Sequence, residues 1–168
     1  MTLTVPASWA GMTTNWSGTL HQILVGDAGP RRAVVVSVLA LLVLASSAFV
    51  LGADVGLSLP WIVLALGIAL GAGWWGAGLL PTAGSMWLIG LWWFAFPPLV
   101  GYLGGNWAVA SRYSHPRMMG FAYTSARAEL VGGLEYGLRF GLLFALVAGV
   151  LAYGVGALGA TLASRFER

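Results

Sequence analysis

Residues 33–51 read AVVVSVLALLVLASSAFVL, an uninterrupted apolar run without a charged side chain. A helix needs about 20 apolar residues to cross a hydrocarbon layer roughly 30 Å thick. Because lipid offers backbone groups no hydrogen-bond partner, a run of this length and composition predicts a transmembrane helix.

Three other stretches of the chain are long and apolar enough to cross a bilayer. They cover residues 58–80, 85–104 and 138–162, and Arg139 is the only charged residue within the four spans. We therefore expect an all-α fold: a polytopic integral membrane protein with four transmembrane helices and additional interfacial amphipathic helices. Residues 31–168 would form the transmembrane bundle, preceded by an interfacial segment over residues 1–30.

The composition excludes several functional classes. Of the 168 residues, 59% are hydrophobic and 8% are charged, against roughly a quarter charged in a soluble domain. The eight basic residues, all arginine, form no tract that could follow a phosphate backbone, so nucleic acid is not an expected partner. The chain has no cysteine, which excludes thiolate catalysis and Cys-ligated metal sites. Since no catalytic motif is present either, we predict no enzymatic activity and no cofactor.

The N-terminal segment carries the pattern of a short amphipathic helix. A start at Asn15 or Ser17 would place four apolar side chains on one face, namely Trp16, Leu20, Ile23 and Leu24. We expect this helix to lie in the membrane interface, with docking to a partner subunit as the alternative. Residues 26–30 then predict a turn into the first span.

The flanks of the first span bear on its orientation. Arg31 and Arg32 precede it, which favours a cell-membrane protein with both termini in the cytoplasm. A cleaved signal peptide is the alternative reading of this region. We favour a retained anchor, because 32 residues precede the run and the run exceeds an ordinary signal-peptide core.

The connections between spans differ greatly in length. Residues 52–57 and 81–84 predict tight turns, whereas the connection over residues 105–137 is long and polar. Within it, an amphipathic helix is predicted from Pro116 to Val131, followed by a bend at Gly132–Gly133. A continuous helix from Pro116 into the fourth span is the competing possibility.

Small residues recur at helical spacing in two of the spans. In lipid, helices associate where small side chains let their backbones approach. These positions could pack against other helices of the same chain or against another chain, and the sequence does not choose between the two. The fourth span has the row Ala148, Ala152, Gly156 and Ala160 and the row Gly137, Gly141, Ala145 and Gly149, and the second span adds Gly67 and Gly71.

Two groups of residues are candidate sites. Pro97 and Pro98 lie inside the third span, where two missing N–H groups should kink or break the helix and free carbonyls. At the start of the fourth span, a charged cluster could bind a lipid headgroup, a partner or an anion, or could simply form a solvated rim. Its members are Arg127, Glu129, Glu135 and Arg139, of which Glu135 and Arg139 have the spacing of a helical ion pair.

Aromatic and histidine residues give weaker indications. Aromatic side chains in the third span could form a wall for a pigment or isoprenoid tail, but core packing or lipid contact is favoured; they are Trp92, Trp93, Phe94 and Phe96. His21 and His115 both lie outside the spans, which disfavours a haem between the helices, and His115 is interpreted as a loop residue.

These observations favour a small non-catalytic membrane protein, a structural or accessory subunit that packs against other membrane chains. Its expected partners are membrane lipids and other membrane subunits, or further copies of itself. An oligomeric transporter or channel with a third helix broken at Pro97–Pro98 is the alternative, and a lipid- or pigment-binding protein is the second alternative. The all-arginine basic content suggests a prokaryotic source.

Overall fold

The computed structural model describes residues 18–53, 55, 59–106, 112–116 and 123–166, and every regular element among them is helical. Residues 18–25 form α1. Four longer helices follow, which are α2 (Ala28–Val50), α3 (Leu59–Trp74), α4 (Leu79–Gly104) and α5 (Ala126–Phe166). The predicted all-α fold is confirmed.

Three helical stretches are long and apolar enough to cross a membrane. They are Gly18–Val50, which joins α1 and α2, Leu79–Gly104 and Ala126–Phe166. Helix α3 is apolar too, but its 16 residues extend only about 24 Å at 1.5 Å per residue. The chain is thus a multi-pass membrane protein, and the predicted count of four spans includes one helix shorter than the usual hydrocarbon layer.

The boundary between the second and third spans differs from the prediction. The expected connection at residues 81–84 is helical and belongs to α4, and the chain instead leaves the helix at residues 75–78. Gly76 and Gly78 adopt φ values of 70° and 92° there, in the region that favours glycine. Pro81 fits the first turn of α4, because an N–H at that position would have no acceptor within the helix, and proline has none to leave unpaired.

Residues 26 and 27 separate α1 from α2. The predicted turn over residues 26–30 is shorter than expected, since α2 begins at Ala28. The Asp27 N–H donates to the Gly76 carbonyl at 3.0 Å, so this elbow is joined to the turn between α3 and α4. Leu20, Ile23 and Leu24 are exposed on α1. Trp16 and the two candidate capping residues lie outside the described part of the chain, and the interfacial location of α1 stays a prediction.

Helix α5 is one continuous helix of 41 residues. It begins at Ala126, where the Ser125 hydroxyl accepts a hydrogen bond from the Ala128 N–H at 3.2 Å. The helix continues without interruption through Gly132–Gly133, where the sequence predicted a bend between two helices. The helix predicted over residues 116–131 is confirmed only from Ala126 onward. Residues 116 and 123–125 are not helical, and residues 117–122 lie outside the described ranges.

Two π-helical segments interrupt the regular geometry of α5, at Gly137–Gly141 and Ala145–Gly149. Four residues of an α-helix turn about 40° more than a full circle, so a row of small residues spaced by four drifts around the helix. The wider π turns offset this drift. As a result, the row of Gly137, Gly141, Ala145 and Gly149 stays on one side of α5 and is buried along its length.

The core lies around α4, which packs against α2, α3 and α5. An edge-to-face contact between Phe49 of α2 and Phe96 of α4, with centroids 5.8 Å apart, is typical of this core. Its buried members come from all four long helices: Val38, Ala45, Phe49, Ala65, Ala69, Met86, Ile89, Trp92, Trp93 and Ala145. Much of the outer surface consists of exposed leucine and valine, as contact with lipid requires.

Candidate functional site

An apolar groove runs between α2 and α3 and encloses about 810 Å³. On α3 it extends from Val63 to Gly71, a rise of about 12 Å, and Trp75 lines it just beyond the helix end. On α2 it extends from Pro30 to Ser37, whose side chain is the one hydroxyl of the lining. The groove therefore follows the half of the bundle nearer to the chain termini.

Small residues line both walls of this groove, hereafter the α2–α3 groove. Gly67 and Gly71 are four residues apart on α3, and Ala33 and Ser37 are four apart on α2. A Cβ built on Gly67 would meet nothing within 4 Å. The predicted packing positions Gly67 and Gly71 thus face open space, except that the Trp75 ring lies 3.0 Å from a Cβ built on Gly71.

The small-residue rows of α5 behave differently, because they pack within the chain. A Cβ built on Gly141 would lie 3.2 Å from the Gly90 carbonyl carbon of α4, and one on Gly149 would lie 3.1 Å from the Met86 side chain. Helix α5 crosses α3 at Gly156, and a Cβ built on this residue would lie 2.0 Å from the Leu70 carbonyl oxygen. Ala145 is fully buried, and the remaining predicted positions are half-buried: Ala148, Ala152 and Ala160.

Pro97 and Pro98 lie inside α4, and the helix continues through them to Gly104. The predicted break is therefore absent. Pro98 has no N–H for the Phe94 carbonyl four residues earlier. A Cβ built on Gly133 of α5 would lie 2.3 Å from that Phe94 oxygen, so glycine lets the α5 backbone cover the carbonyl. Both prolines are buried in this contact.

The predicted charged cluster divides into separate parts. Glu135 and Arg139 form the expected ion pair, with Oε1 and Nη2 2.9 Å apart, and both side chains are exposed. Arg127 is exposed as well. Glu129 points the other way and is fully buried. The four residues therefore do not form one site.

Glu129 is hydrogen-bonded to His115, which the sequence indicated only as a loop residue. The Glu129 Oε1 atom accepts from the His115 backbone N–H at 2.9 Å and lies 2.7 Å from His115 Nδ1. Both side chains are at most 1% exposed. The rings of Tyr123 and Tyr136 lie 5.4 and 5.1 Å from the imidazole ring. The one available signal was that Glu129 shares a helix face with Gly132 and Gly133, which pack inward.

Arg112 joins the long connection to the end of α2. Its guanidinium donates to the carbonyls of Phe49 and Ala53 and lies 4.4 Å from the centroid of the Phe49 ring. The last carbonyls of a helix have no intrahelical donors, and a cation there is favoured by the helix dipole. Residues 112–116 thus connect α2 to α5 through Arg112 and His115.

Three of the four aromatic residues singled out on α4 belong to the hydrophobic core: Trp92 and Trp93 are buried, and the partly buried Phe96 packs against the core. Trp92 stacks on Phe96 with centroids 5.1 Å apart, and its indole N–H donates to the Ser46 hydroxyl at 2.8 Å. A small apolar cavity of about 140 Å³ lies beside Trp93 and Phe94. Core packing or lipid contact is the favoured prediction for these rings, and the burial of Trp92 and Trp93 fits core packing.

Among the described residues, no three His, Asp or Glu side chains gather as a metal site would require. The features that could serve a function are the α2–α3 groove, the small cavity beside Trp93 and Phe94, and the buried pair of His115 and Glu129. Comparisons of the chain with protein-family models, curated proteins and solved structures give no match.

Proposed function

We propose that this protein is a non-catalytic accessory subunit of the cell membrane that binds a transmembrane helix of a different chain in the α2–α3 groove. The observation that carries the proposal is the pair of small-residue walls, Gly67–Gly71 and Ala33–Ser37, that line the groove, with open space at Gly67. Small residues spaced by four on both walls are the pattern that lets helix backbones approach in lipid.

The comparison with α5 supports this choice of surface. Gly141 and Gly149 of α5 are covered by α4, and Gly156 is covered by α3, so these three positions offer no free seam to a partner. Gly67, by contrast, has open space where a partner backbone could lie. A glycine that packs against none of the residues the structure describes costs helix stability without a return, unless a group outside those residues covers it.

The mouth of the groove suggests what flanks the partner helix. Pro30 lies at this end of the groove, and two arginines, Arg31 and Arg32, follow it directly in α2. Asp27, just before α2, is the one acidic residue near them in the sequence. We infer that the partner helix carries acidic residues at this end, since opposite charges would fix its direction and depth. Transport remains an alternative, to which the unbroken α4 adds no support. Lipid or pigment binding is the other alternative, and the apolar lining of the groove would suit a hydrocarbon chain as well as a helix.

Photo-crosslinking in native membranes tests the docking of a partner helix. A photoreactive residue at Ser37 should give one discrete crosslinked partner, and the yield should fall about tenfold or more when Gly67→Leu fills the groove. The matched control is Gly154→Leu, because Gly154 lies on α5 with nothing within 4 Å of its built Cβ. A second probe position at Val43, which is 65% exposed on α2, reports on contact with bulk lipid.

Three results would contradict the proposal. Equal crosslinking from Ser37 and Val43 would mean that the groove contacts only lipid. An adduct to a second copy of this chain alone would indicate a homo-oligomer instead of an accessory subunit. A partner band that survives Gly67→Leu would place the interface on another surface.

We further propose that both termini face the cytoplasm, because Arg31 and Arg32 begin the first long helix. The chain has no cysteine, so single cysteines can be introduced without background labelling. A membrane-impermeant thiol reagent added to intact cells should label Thr124→Cys and leave Ser164→Cys unlabelled until lysis. Both positions are exposed, and they lie on opposite sides of the bundle. The reverse labelling pattern would reverse the orientation.

A further inference from the structure

The small cavity of about 140 Å³ lies between α3, α4 and α5 and shares no lining residue with the α2–α3 groove. Ile62 of α3, Trp93 and Phe94 of α4 and Phe140 and Phe144 of α5 supply its side chains, and two glycines complete the lining. Phe140 is exposed on the outer surface of the bundle. The cavity therefore lies beside the surface that faces lipid, and a molecule dissolved in the bilayer can reach it.

The Trp93 indole carries the one polar group among these side chains. Trp93 is 5% exposed, and its Nε1 atom has no hydrogen-bond partner among the residues that the structure describes. The neighbouring Trp92 differs, because its indole N–H donates to the Ser46 hydroxyl at 2.8 Å. A buried N–H without an acceptor raises the free energy of the folded state. An acceptor that enters the cavity would remove this cost.

The position of Trp93 along α4 limits where such an acceptor can come from. Helix α4 runs from Leu79 to Gly104, so at 1.5 Å per residue Trp93 lies about 21 Å from one end and about 16 Å from the other. Phospholipid headgroups and ester carbonyls lie at the edges of a hydrocarbon layer roughly 30 Å thick, not at its middle. The acceptor must therefore belong to a molecule that dissolves in hydrocarbon.

The size and lining of the cavity restrict the ligand further. An apolar cavity of about 150 Å³ holds a benzene molecule, so a volume of about 140 Å³ suits one six-membered ring. An ordered water needs roughly two to four polar partners, and the side chains of this lining offer only the Trp93 N–H. The aromatic rings around the cavity favour a planar ring, which they can contact face to face or edge to face.

We propose that this cavity binds the ring of a lipid-soluble cyclic carbonyl compound, the chemical class to which quinones belong, and that the Trp93 indole N–H donates to its carbonyl oxygen. The ligand satisfies the buried donor without bringing a charge into hydrocarbon. The site is separate from the α2–α3 groove, so it neither requires nor excludes a partner helix there.

Nuclear magnetic resonance of the purified full chain in lipid nanodiscs tests this proposal. The chain carries isotope-labelled tryptophan and isoleucine, and it has no cysteine or lysine to which a quinone could add. The probe is methyl-para-benzoquinone, and toluene is the matched ring without an acceptor. The quinone should move the Trp93 indole proton downfield and shift the Ile62 methyl group with saturation. Toluene should shift the Ile62 methyl group without moving the indole proton downfield.

The same spectra contain matched controls. The Trp92 N–H already has an acceptor. The Trp87 N–H is buried without a partner among the described residues, but Trp87 does not line the cavity. Neither indole proton should move downfield. Ile68 lines the α2–α3 groove, so its methyl group reports on probe that binds there instead.

The Trp93→Phe variant isolates the hydrogen bond. It keeps an aromatic ring in the lining, removes the N–H, and identifies the Trp93 signal by its loss. The affinity for the quinone, measured at the Ile62 methyl group, should fall about fivefold, the net value of one neutral hydrogen bond. The affinity for toluene should stay the same.

Three results would overturn the proposal. A Trp93 indole proton that the quinone does not move would do so in the wild type, whether or not the variant folds. A saturable shift at Ile68 without one at Ile62 would place the ring in the α2–α3 groove. Equal affinity of Trp93→Phe and the wild type for the quinone would show that the N–H does not donate to the ligand.

Discussion

A Gly156→Ala variant is expected to lose about 3 kcal/mol of stability, at the upper end of the usual cost of overpacking. The added Cβ would lie 2.0 Å from the Leu70 carbonyl oxygen and 3.0 Å from the Trp74 backbone nitrogen, so α3 and α5 would have to separate. Because both obstacles are backbone atoms, no rotamer change relieves the contact. Unfolding in mixed detergent micelles, followed by helicity and tryptophan fluorescence, measures the loss.

The matched control lies two residues earlier on the same helix. Gly154 has nothing within 4 Å of a built Cβ, so Gly154→Ala should be neutral or should stabilise α5 by up to about 1 kcal/mol through helix propensity. The two variants make the same chemical change with opposite expected signs. Equal stability of the two would mean that α3 and α5 do not cross at Gly156.

The second large effect is expected at the elbow between α1 and α2. Gly26 has φ 70°, and a Cβ built on it would lie 2.2 Å from the Ala77 carbonyl carbon. Gly26→Ala should therefore combine the strain of a left-handed backbone, about 1–2 kcal/mol, with an overlap of about 1–3 kcal/mol. The same unfolding assay measures the total. Proteolysis of α1 reports whether the elbow has left the turn between α3 and α4.

Two further glycines separate the contributions to this effect. Gly105 has φ 63° and nothing within 4 Å of its built Cβ, so Gly105→Ala should cost only the backbone strain. Gly78, in the turn that the elbow contacts, has φ 92° and a built Cβ 2.4 Å from the Val25 carbonyl carbon. Its ψ of 146° lies outside the left-handed helical region, so Gly78→Ala should cost at least as much as Gly26→Ala. If Gly26→Ala costs no more than Gly105→Ala, the close contact of the two turns is refuted.

The features that could be predicted from the sequence are those that depend on local properties. The apolar run of residues 33–51 predicts a helix in lipid wherever the rest of the chain lies, because each residue contributes its own transfer free energy. The Glu135–Arg139 pair could be predicted for a similar reason, since four residues bring two side chains together on any helix. The α3–α4 boundary was missed because the turn depends on glycine at positive φ, and glycines are frequent throughout this chain.

The candidate site was harder to predict because its partners are distant in sequence. His115, which lies outside the helices, is 14 positions from Glu129 of α5, and no periodic pattern relates two such positions. Gly67 and Gly71 were predicted as packing residues, but their spacing is the same as that of Gly137 and Gly141 on α5. Spacing alone does not distinguish a row that its own chain covers from one that stays open.

The sequence by itself determined the solvent and the kind of element: lipid around the chain and helices within it, since the hydrogen-bonding needs of a backbone in hydrocarbon leave few other structures. Only the tertiary structure decided which charges are buried and which small residues stay open. The π turns of α5 and its crossing with α3 place Gly141, Gly149 and Gly156 against neighbouring helices. Gly67 of the α2–α3 groove has no such neighbour within 4 Å of a built Cβ. The physical reason is that burial depends on where neighbouring helices lie, and that placement is the sum of contacts between residues far apart in the chain.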